Sequence, residues 1–350
     1  MKIYESRHLE ESGFFQYLFQ ALRASGAEVV EKAPHERQGR TDRHHEGAWA
    51  EIEGALVFFD MSDHVFDFDL QALQHADLYL KANLNRSLAD RVLTEEGMAD
   101  CSSKIRPFTF LPPSLGLCRK IGGLKLGSWL PGPKLFHVVG VYENLVASGA
   151  VDPFGAPGDR VDPHVMHFWI RHHFSKAVGE TGLSAMSRLT SRGNPAIEDG
   201  VNVKANLNHQ FYLFRMATST CTVLNTFPHA VYPWKAQESL ALGRPFIVER
   251  EPLIEIPPAF RPVPDEHFLE VIPGFGSFDE NASLEEAASY RILKVPSLES
   301  IHKGFERVTG ILKDRSRMES MRRACRDFSA ERFSPSFIVR WLQEEVSRSV

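Results

Sequence analysis

Residues 212–250 read YLFRMATSTCTVLNTFPHAVYPWKAQESLALGRPFIVER, and this stretch decides the fold. Phe211 to Ala217 carries a helical period, and Thr222-Val223-Leu224-Asn225 is a short run of strand character. Gln237 to Leu242 returns to helical spacing and is stopped by Gly243, the residue type that closes helices in the left-handed conformation. Pro245 cannot continue a helix and opens the strand Phe246-Ile247-Val248. Helix, strand, loop, helix, strand is the repeating unit of a parallel α/β sheet. The loop Thr226 to Trp234 leaves the end of a parallel strand, the side on which such sheets bind ligands. A helix starting near Trp234 and Lys235 turns its first amides and its dipole toward that crevice, where an anion such as a diphosphate is favoured. Lys235 adds a mobile positive charge. Glu238, one turn further on, can accept hydrogen bonds from paired ribose hydroxyls.

The same alternation extends outward. Phe14, Phe15, Leu18, Phe19 and Leu22 recur at helical spacing up to Gly26, and Ala27 to Val30 reads as the next strand. Ala55-Leu56-Val57-Phe58-Phe59 is a continuous apolar run, the form of a buried parallel strand, and it delivers Asp60-Met61-Ser62-Asp63 to its C-terminal end. Leu78-Tyr79-Leu80 and Ile105 to Leu111 follow as strands. Pro112 to Pro133 holds five glycines and four prolines and reads as a linker. Leu135 to Val141 (LFHVVGV) then restarts the pattern. At 350 residues the chain suits two cores better than one. The expected organisation is an N-terminal domain over 1–130, a C-terminal domain over 131–330, and a closing helix over 331–350 that crosses back to the first.

Bulk properties narrow the class. A formal charge of −5 argues against a general polyanion-binding surface. The four cysteines lie far apart, with none of the close pairs typical of zinc or redox sites. MKIYESRHLEESG turns acidic where a signal peptide needs an apolar stretch, and no segment approaches the roughly 18 apolar residues of a membrane helix. A reduced, cytoplasmic protein without a membrane span is the expectation. GxxxxGK(S/T), GxGxxG after the first strand, GxSxG and HExxH are all absent, which weighs against nucleotidase, dehydrogenase, hydrolase and zincin readings. Fifteen histidines, including His164 with His167 and His172-His173, have no carboxylate-bearing metal spacing, so no metal is expected.

The run Lys235-Ala-Gln-Glu238-Ser-Leu-Ala-Leu-Gly243-Arg-Pro245-Phe-Ile247 resembles the (R/K)xxExLAxGxPxI segment of GT-B glycosyltransferases. The resemblance covers Lys235 to Ile247 at residue level and the rest of the chain by layout alone. It implies two doubly wound Rossmann-like α/β domains facing each other across a cleft, with the sugar-nucleotide site in the C-terminal half and the acceptor mostly in the N-terminal half. It places ribose binding on Glu238. It also implies departure of the diphosphate assisted by helix dipoles and Lys/Arg, with no metal and with the nucleotide-sugar as co-substrate rather than a cofactor.

Transfer to a hydroxyl needs a stabilised leaving group and a base. For the diphosphate the candidates are Lys235, Arg188 and Lys204. His229 in the loop before Trp234 can reach the diphosphate or the nucleobase, and the Trp234 ring can stack on the base or pack as core. Gln237 and Ser239 flank Glu238 and join the donor-binding set. Ser12-Gly13 occupies the first β–α loop, where the family brings backbone close to a substrate. For the base the candidates are Asp63, Asp60 and Glu11. The acceptor is an unidentified hydroxyl on a small molecule, a glycan or a nucleic acid. Rival readings are a nucleotide-sugar epimerase of the same fold, a nucleotide-sugar-binding protein without catalysis, and a transferase acting on DNA or a polysaccharide through the basic loop Arg37 to His45.

Overall fold

The computed structural model describes residues 1–4, 15–30, 47–62, 65, 67–124, 132, 134–140, 152, 154, 163–191, 203–205, 208–226, 233–250, 254–273, 283 and 296–349. Twelve strands are present among them: β1 Lys2–Tyr4, β2 Glu28–Val30, β3 Gly47–Ile52, β4 Ala55–Asp60, β5 Leu78–Lys81, β6 Ile105–Pro107, β7 Leu135–Gly140, β8 Ala185–Ser191, β9 Val203–Ala205, β10 Cys221–Val223, β11 Phe246–Val248 and β12 Phe268–Glu270. The helices are α1 Gln16–Ala24, α2 Leu70–His75, α3 Arg86–Glu95, α4 Leu115–Gly123, α5 Pro163–Glu180, α6 His209–Thr218, α7 Trp234–Ala241, α8 Leu298–Lys313, α9 Arg315–Arg332 and α10 Pro335–Ser349. No described helix is long and apolar enough to cross a membrane. The chain divides into two compact units. One comprises Met1–Gly116, Ile254–Arg261 and Ser329–Val350; the other comprises Leu117–Leu253 and Pro262–Phe328.

The first unit holds a six-stranded sheet in the order β2-β1-β3-β4-β5-β6. β1 runs parallel to β2, and β4, β5 and β6 are parallel to one another. β3 is antiparallel to both its neighbours, β1 and β4. The doubly wound layout expected of this half therefore carries one antiparallel strand among parallel ones. The cause is local: Glu53 and Gly54 have φ of 51° and 85°, the left-handed pair of a two-residue hairpin whose twist suits antiparallel strands. Trp49 on β3 packs on Phe58, which packs on Tyr79, with ring centroids 4.8 and 5.2 Å apart. The closing helix α10 belongs to this unit. Trp341 stacks on Phe108 and meets Phe260 edge-on, while Tyr17 of α1 donates to the Phe333 carbonyl at 2.6 Å. These contacts bury the apolar face of α10, where Phe337, Ile338, Trp341, Leu342 and Val346 fall at helical spacing.

The second unit holds a six-stranded sheet in the order β12-β11-β10-β7-β8-β9, with its neighbouring strands paired in parallel. Counted from β7, this is the doubly wound order 3-2-1-4-5-6. The winding direction reverses between β7 and β10, and the crevice outside the carboxyl ends of those two strands is where such sheets place ligands. Buried strands need both faces covered. Tyr212 of α6 packs edge-on to Phe136, Phe174 of α5 packs edge-on to Phe305 of α8, and Phe246 stacks on Phe268.

Candidate active site in the second unit

Helix α7 follows β10, and its start falls where the sequence pattern places it. Pro233 occupies its N-cap with φ −63°, so the helix begins at Trp234. Its end is a Schellman closure. Gly243 at φ 66° donates to Leu240, and Arg244 donates to Ser239, at 2.9 and 2.8 Å. The left-handed residue satisfies carbonyls that the last turn leaves open. Everything from Ala236 to Ala241 is buried, whereas Trp234 is 42% exposed. The Trp234 ring is thus not core.

Glu238 is not a surface acid: only 1% of the residue is exposed. A carboxylate at that depth needs compensating partners. One is His209, the first residue of α6, whose Nε2 lies 3.4 Å from Glu238 Oε1. That contact, above the opposing effect of burial, raises the His209 pKa, while nearby Lys235 lowers it. Asn208 caps α6 through its side chain, which accepts from the Gln210 amide at 3.0 Å and so sets where His209 stands.

Lys235 folds back over the sheet. Its Nζ donates to the Val138 carbonyl on β7 at 3.2 Å and lies 5.1 Å from the centre of the Tyr212 ring. Burial, helped by the Arg171 charge and opposed by Glu238, pushes its pKa down to about 8. Arg171 of α5 donates through Nη1 to the Gly140 carbonyl at the end of β7. Two cations thus sit on successive outward carbonyls of the central strand, next to the N-terminus of α7. This arrangement suits an anion. Sequence reasoning missed Arg171 because it lies on a helix 64 residues before Lys235 in a segment without a motif; only the strand order brings the two together.

Two members of the expected set are held inside the fold. Ser239 is fully buried, its hydroxyl donates to the Arg244 carbonyl at 3.0 Å and its Oγ lies 2.9 Å from Thr222 Oγ1, so it pins α7 to the sheet. Gln237 is buried too. With the amide oriented nitrogen-inward, the orientation its surroundings favour, it can donate to the Pro233 and Trp234 carbonyls at 3.0 and 3.2 Å. Arg188 lies mid-strand on β8, half-buried and opposite Val138. His229, Ser12, Gly13, Glu11 and Asp63 lie outside the described residues, and of Lys204 only its backbone on β9 is described.

Beneath the cations a polar chain that the sequence did not suggest crosses four strands. Ser175 and Ser187 hydroxyls are 2.7 Å apart, Ser187 Oγ is 3.1 Å from His137 Nδ1, and His137 Nε2 is 3.3 Å from Asn225 Oδ1. Asn225 Nδ2 donates to Glu249 Oε1 at 2.7 Å. Glu249 Oε2 accepts from the Thr226 amide at 2.8 Å and from its hydroxyl at 3.1 Å. Burial pushes the His137 pKa down to about 4, with the Arg171 and Lys235 charges adding and Asn225 opposing. Burial raises the pKa of Glu249 against the donors that hold it.

In the first unit, Asp60 sits at the end of β4 as predicted, but it is committed elsewhere. It accepts from Tyr79 Oη at 2.5 Å, Lys81 Nζ at 3.0 Å and the Ser62 amide at 2.8 Å. Burial alone raises its pKa; the Lys81 charge, the Tyr79 hydroxyl and the Ser62 amide together hold it below the ordinary carboxylate value. An acid stabilised as its anion by three donors is a poor proton acceptor, which speaks against Asp60 as the base. Among the described residues no three His, Cys, Asp or Glu side chains converge as metal ligands.

No family model matches the chain, and no curated protein sequence matches it. In three dimensions it is similar to the Anabaena protein Alr3699/HepE solved in complex with UDP-glucose. The identity is 11% and the TM-score 0.39, with 81% of this chain and 71% of that chain covered. The same protein in complex with UDP and glucose gives 10% identity and a TM-score of 0.40, covering 82% and 70%.

Proposed function

We propose that the second unit binds a nucleotide-sugar and that the chain is a glycosyltransferase passing the sugar to a hydroxyl acceptor. The observation that carries this reading is the buried Glu238, one turn into a helix that starts at the switch point between β7 and β10. Ribose hydroxyls are neutral donors that such a carboxylate can take in pairs, with His209 holding its other side. The first amides of α7, Lys235 and Arg171 take the diphosphate. The exposed Trp234 ring offers a stacking face to the base. In the reaction the bond from the anomeric carbon to the diphosphate oxygen breaks, the acceptor oxygen bonds that carbon, and its proton passes to a base. The cations stabilise the charge that develops on the diphosphate, without a metal. With Asp60 engaged, the base is assigned to Asp63 or Glu11.

A thermal-shift screen against nucleoside diphosphates and nucleotide-sugars tests the reading. Selective stabilisation by one nucleotide identifies the sugar donor, and release of that nucleoside diphosphate on adding a hydroxyl acceptor demonstrates transfer. The engagement of Asp60 favours one rival, a nucleotide-sugar-binding protein without catalysis. It predicts the same thermal shift with no nucleotide release.

A further inference from the structure

The polar chain under the sheet ends has a direction. Asn225 Oδ1 can only accept, so the hydrogen of the 3.3 Å contact belongs to His137 Nε2. A neutral imidazole then presents Nδ1 as an acceptor, which commits the Ser187 hydroxyl to donate there and to accept from Ser175. On the other side the Asn225 amide donates to Glu249, which also takes both donors of Thr226. Every bond points from α5 toward Glu249, and reversing any one of them leaves a buried group unmatched.

We propose that Ser175, Ser187, His137, Asn225 and Glu249 form a one-way hydrogen-bonded frame that positions the cations of the nucleotide-sugar site, with Asn225 as the joint that sets its polarity. The inference rests on the nucleotide-sugar reading above. The frame ties β8 to β7 through Ser187 and His137, β7 to the end of β10 through Asn225, and that end to the end of β11 through Glu249. The carbonyls that hold Lys235 and Arg171 belong to Val138 and Gly140, within three residues of His137 on the same strand. The segment that leads from β10 to α7 passes through Thr226, which Glu249 grips by two bonds. The five residues are positioning residues; none is assigned a contact with the nucleotide.

The decisive variant is Asn225→Asp. One carboxylate oxygen can still accept from His137, but the other faces Glu249, and two carboxylates in one buried site cannot both ionise. A shared proton restores the donor that the amide supplied, so the variant is repaired by acid. The charged groups around this joint are His137 on β7, Arg171 on α5, Lys235 on α7, and Glu249 with Arg250 after β11. In the wild type burial raises the Glu249 pKa, while His137, near 4, and Arg250, near 10, do not titrate in the working range. Lys235, near 8, does, and the ratio of variant to wild type at each pH removes its contribution.

The test is calorimetric titration of the nucleoside diphosphate that stabilises the wild type in the thermal-shift screen, into folded wild type, Asn225→Asp and Glu249→Gln. Losing a hydrogen bond to a charged group predicts affinity about tenfold weaker for Asn225→Asp at about pH 8, returning to within about threefold of wild type near about pH 5.5. Glu249→Gln cannot accept all three donors and is expected to lose about tenfold at both pH values. Nitrogen NMR of the His137 ring in the wild type reads the direction of the chain without any nucleotide. A hydrogen fixed on Nε2 from about pH 5.5 to 8 supports it, and a ring protonated on Nδ1 in that range overturns it. Wild-type affinity at both pH values in both variants refutes the positioning role. A wild type that binds no nucleotide refutes the functional reading instead, and the NMR result still decides the direction.

Discussion

The Asp60–Lys81 pair gives a prediction that separates structure from catalysis in the first unit. Their side chains are 3% and 0% exposed and stand 3.0 Å apart. Lys81 also donates to Ser62 Oγ at 2.8 Å and lies 4.9 Å from the centre of the Phe68 ring. Truncation in Asp60→Ala leaves a buried ammonium without its counter-charge, which costs about 3–5 kcal/mol. Solvent screening offers no relief at this depth. The double variant Asp60→Asn/Lys81→Met removes both charges while keeping shape, and most of the loss is expected to return, because replacing a buried pair by neutral groups is often neutral. Hydrogen exchange of peptides covering β4 and β5 is the assay. Protection in Asp60→Ala should fall by about a hundredfold or more where exchange follows opening of the unit. The pair also has a pH signature. The folded pKa of Asp60 is depressed, so its contribution is present above the unfolded carboxylate value of about 4 and is lost as pH falls through the lower folded value. Single variants that cost less than about 1 kcal/mol, or two changes that simply add, would rule out a coupled buried pair. A folded Asp60→Asn that loses transfer by about a hundredfold or more with its protection intact would make Asp60 the base after all.

Three further outcomes follow from the second unit. Lys235→Met should weaken nucleoside diphosphate binding about tenfold and abolish the loss of affinity expected of the wild type as pH rises past about 8, because only the protonated ammonium attracts phosphate; titration across that range checks it. Gly243→Ala forces a side chain into φ 66°, where its Cβ would stand 2.4 Å from Arg326 Cγ. Chemical denaturation should show a loss of at least about 1–2 kcal/mol. Trp234→Ala should leave stability within about 0.5 kcal/mol, since the ring is 42% exposed. The same variant should lower nucleotide affinity by about 1–3 kcal/mol if the ring stacks on the base.

Part of the second sheet was readable because β7 and β11 are largely apolar runs and α7 ends at a recognisable stop, whereas β8 (AMSRLTS) and β9 (VKA) carry no such signal. LFHVVG became β7, and Gly243 closed α7 by the geometry its residue type favours. β3 escaped because GAWAEI follows a long polar stretch, and a Glu-Gly turn is a weaker hairpin signal than Asn-Gly or Asp-Gly. Glu238 and Lys235 were legible because they share one helix with a recognisable spacing. Arg171, His137, Ser187, Asn225 and Glu249 were not, since each is a single polar residue in an otherwise ordinary element. Their meeting depends on β7 lying between β8 and β10, which no local pattern encodes. Asp60 shows the converse. Its place at a strand end was readable, but Tyr79 and Lys81, two strand residues of β5, take up the carboxylate that the position alone offers to a substrate.

The central claim, that Glu238 grips a ribose, is tested most directly by a binding cycle. The favoured nucleoside diphosphate and its 2′,3′-dideoxy analogue are titrated into wild type and Glu238→Gln. The wild type is expected to prefer the ribose form by about tenfold or more, and the variant, with its charge removed, to lose most of that preference. Equal discrimination by both proteins would contradict it.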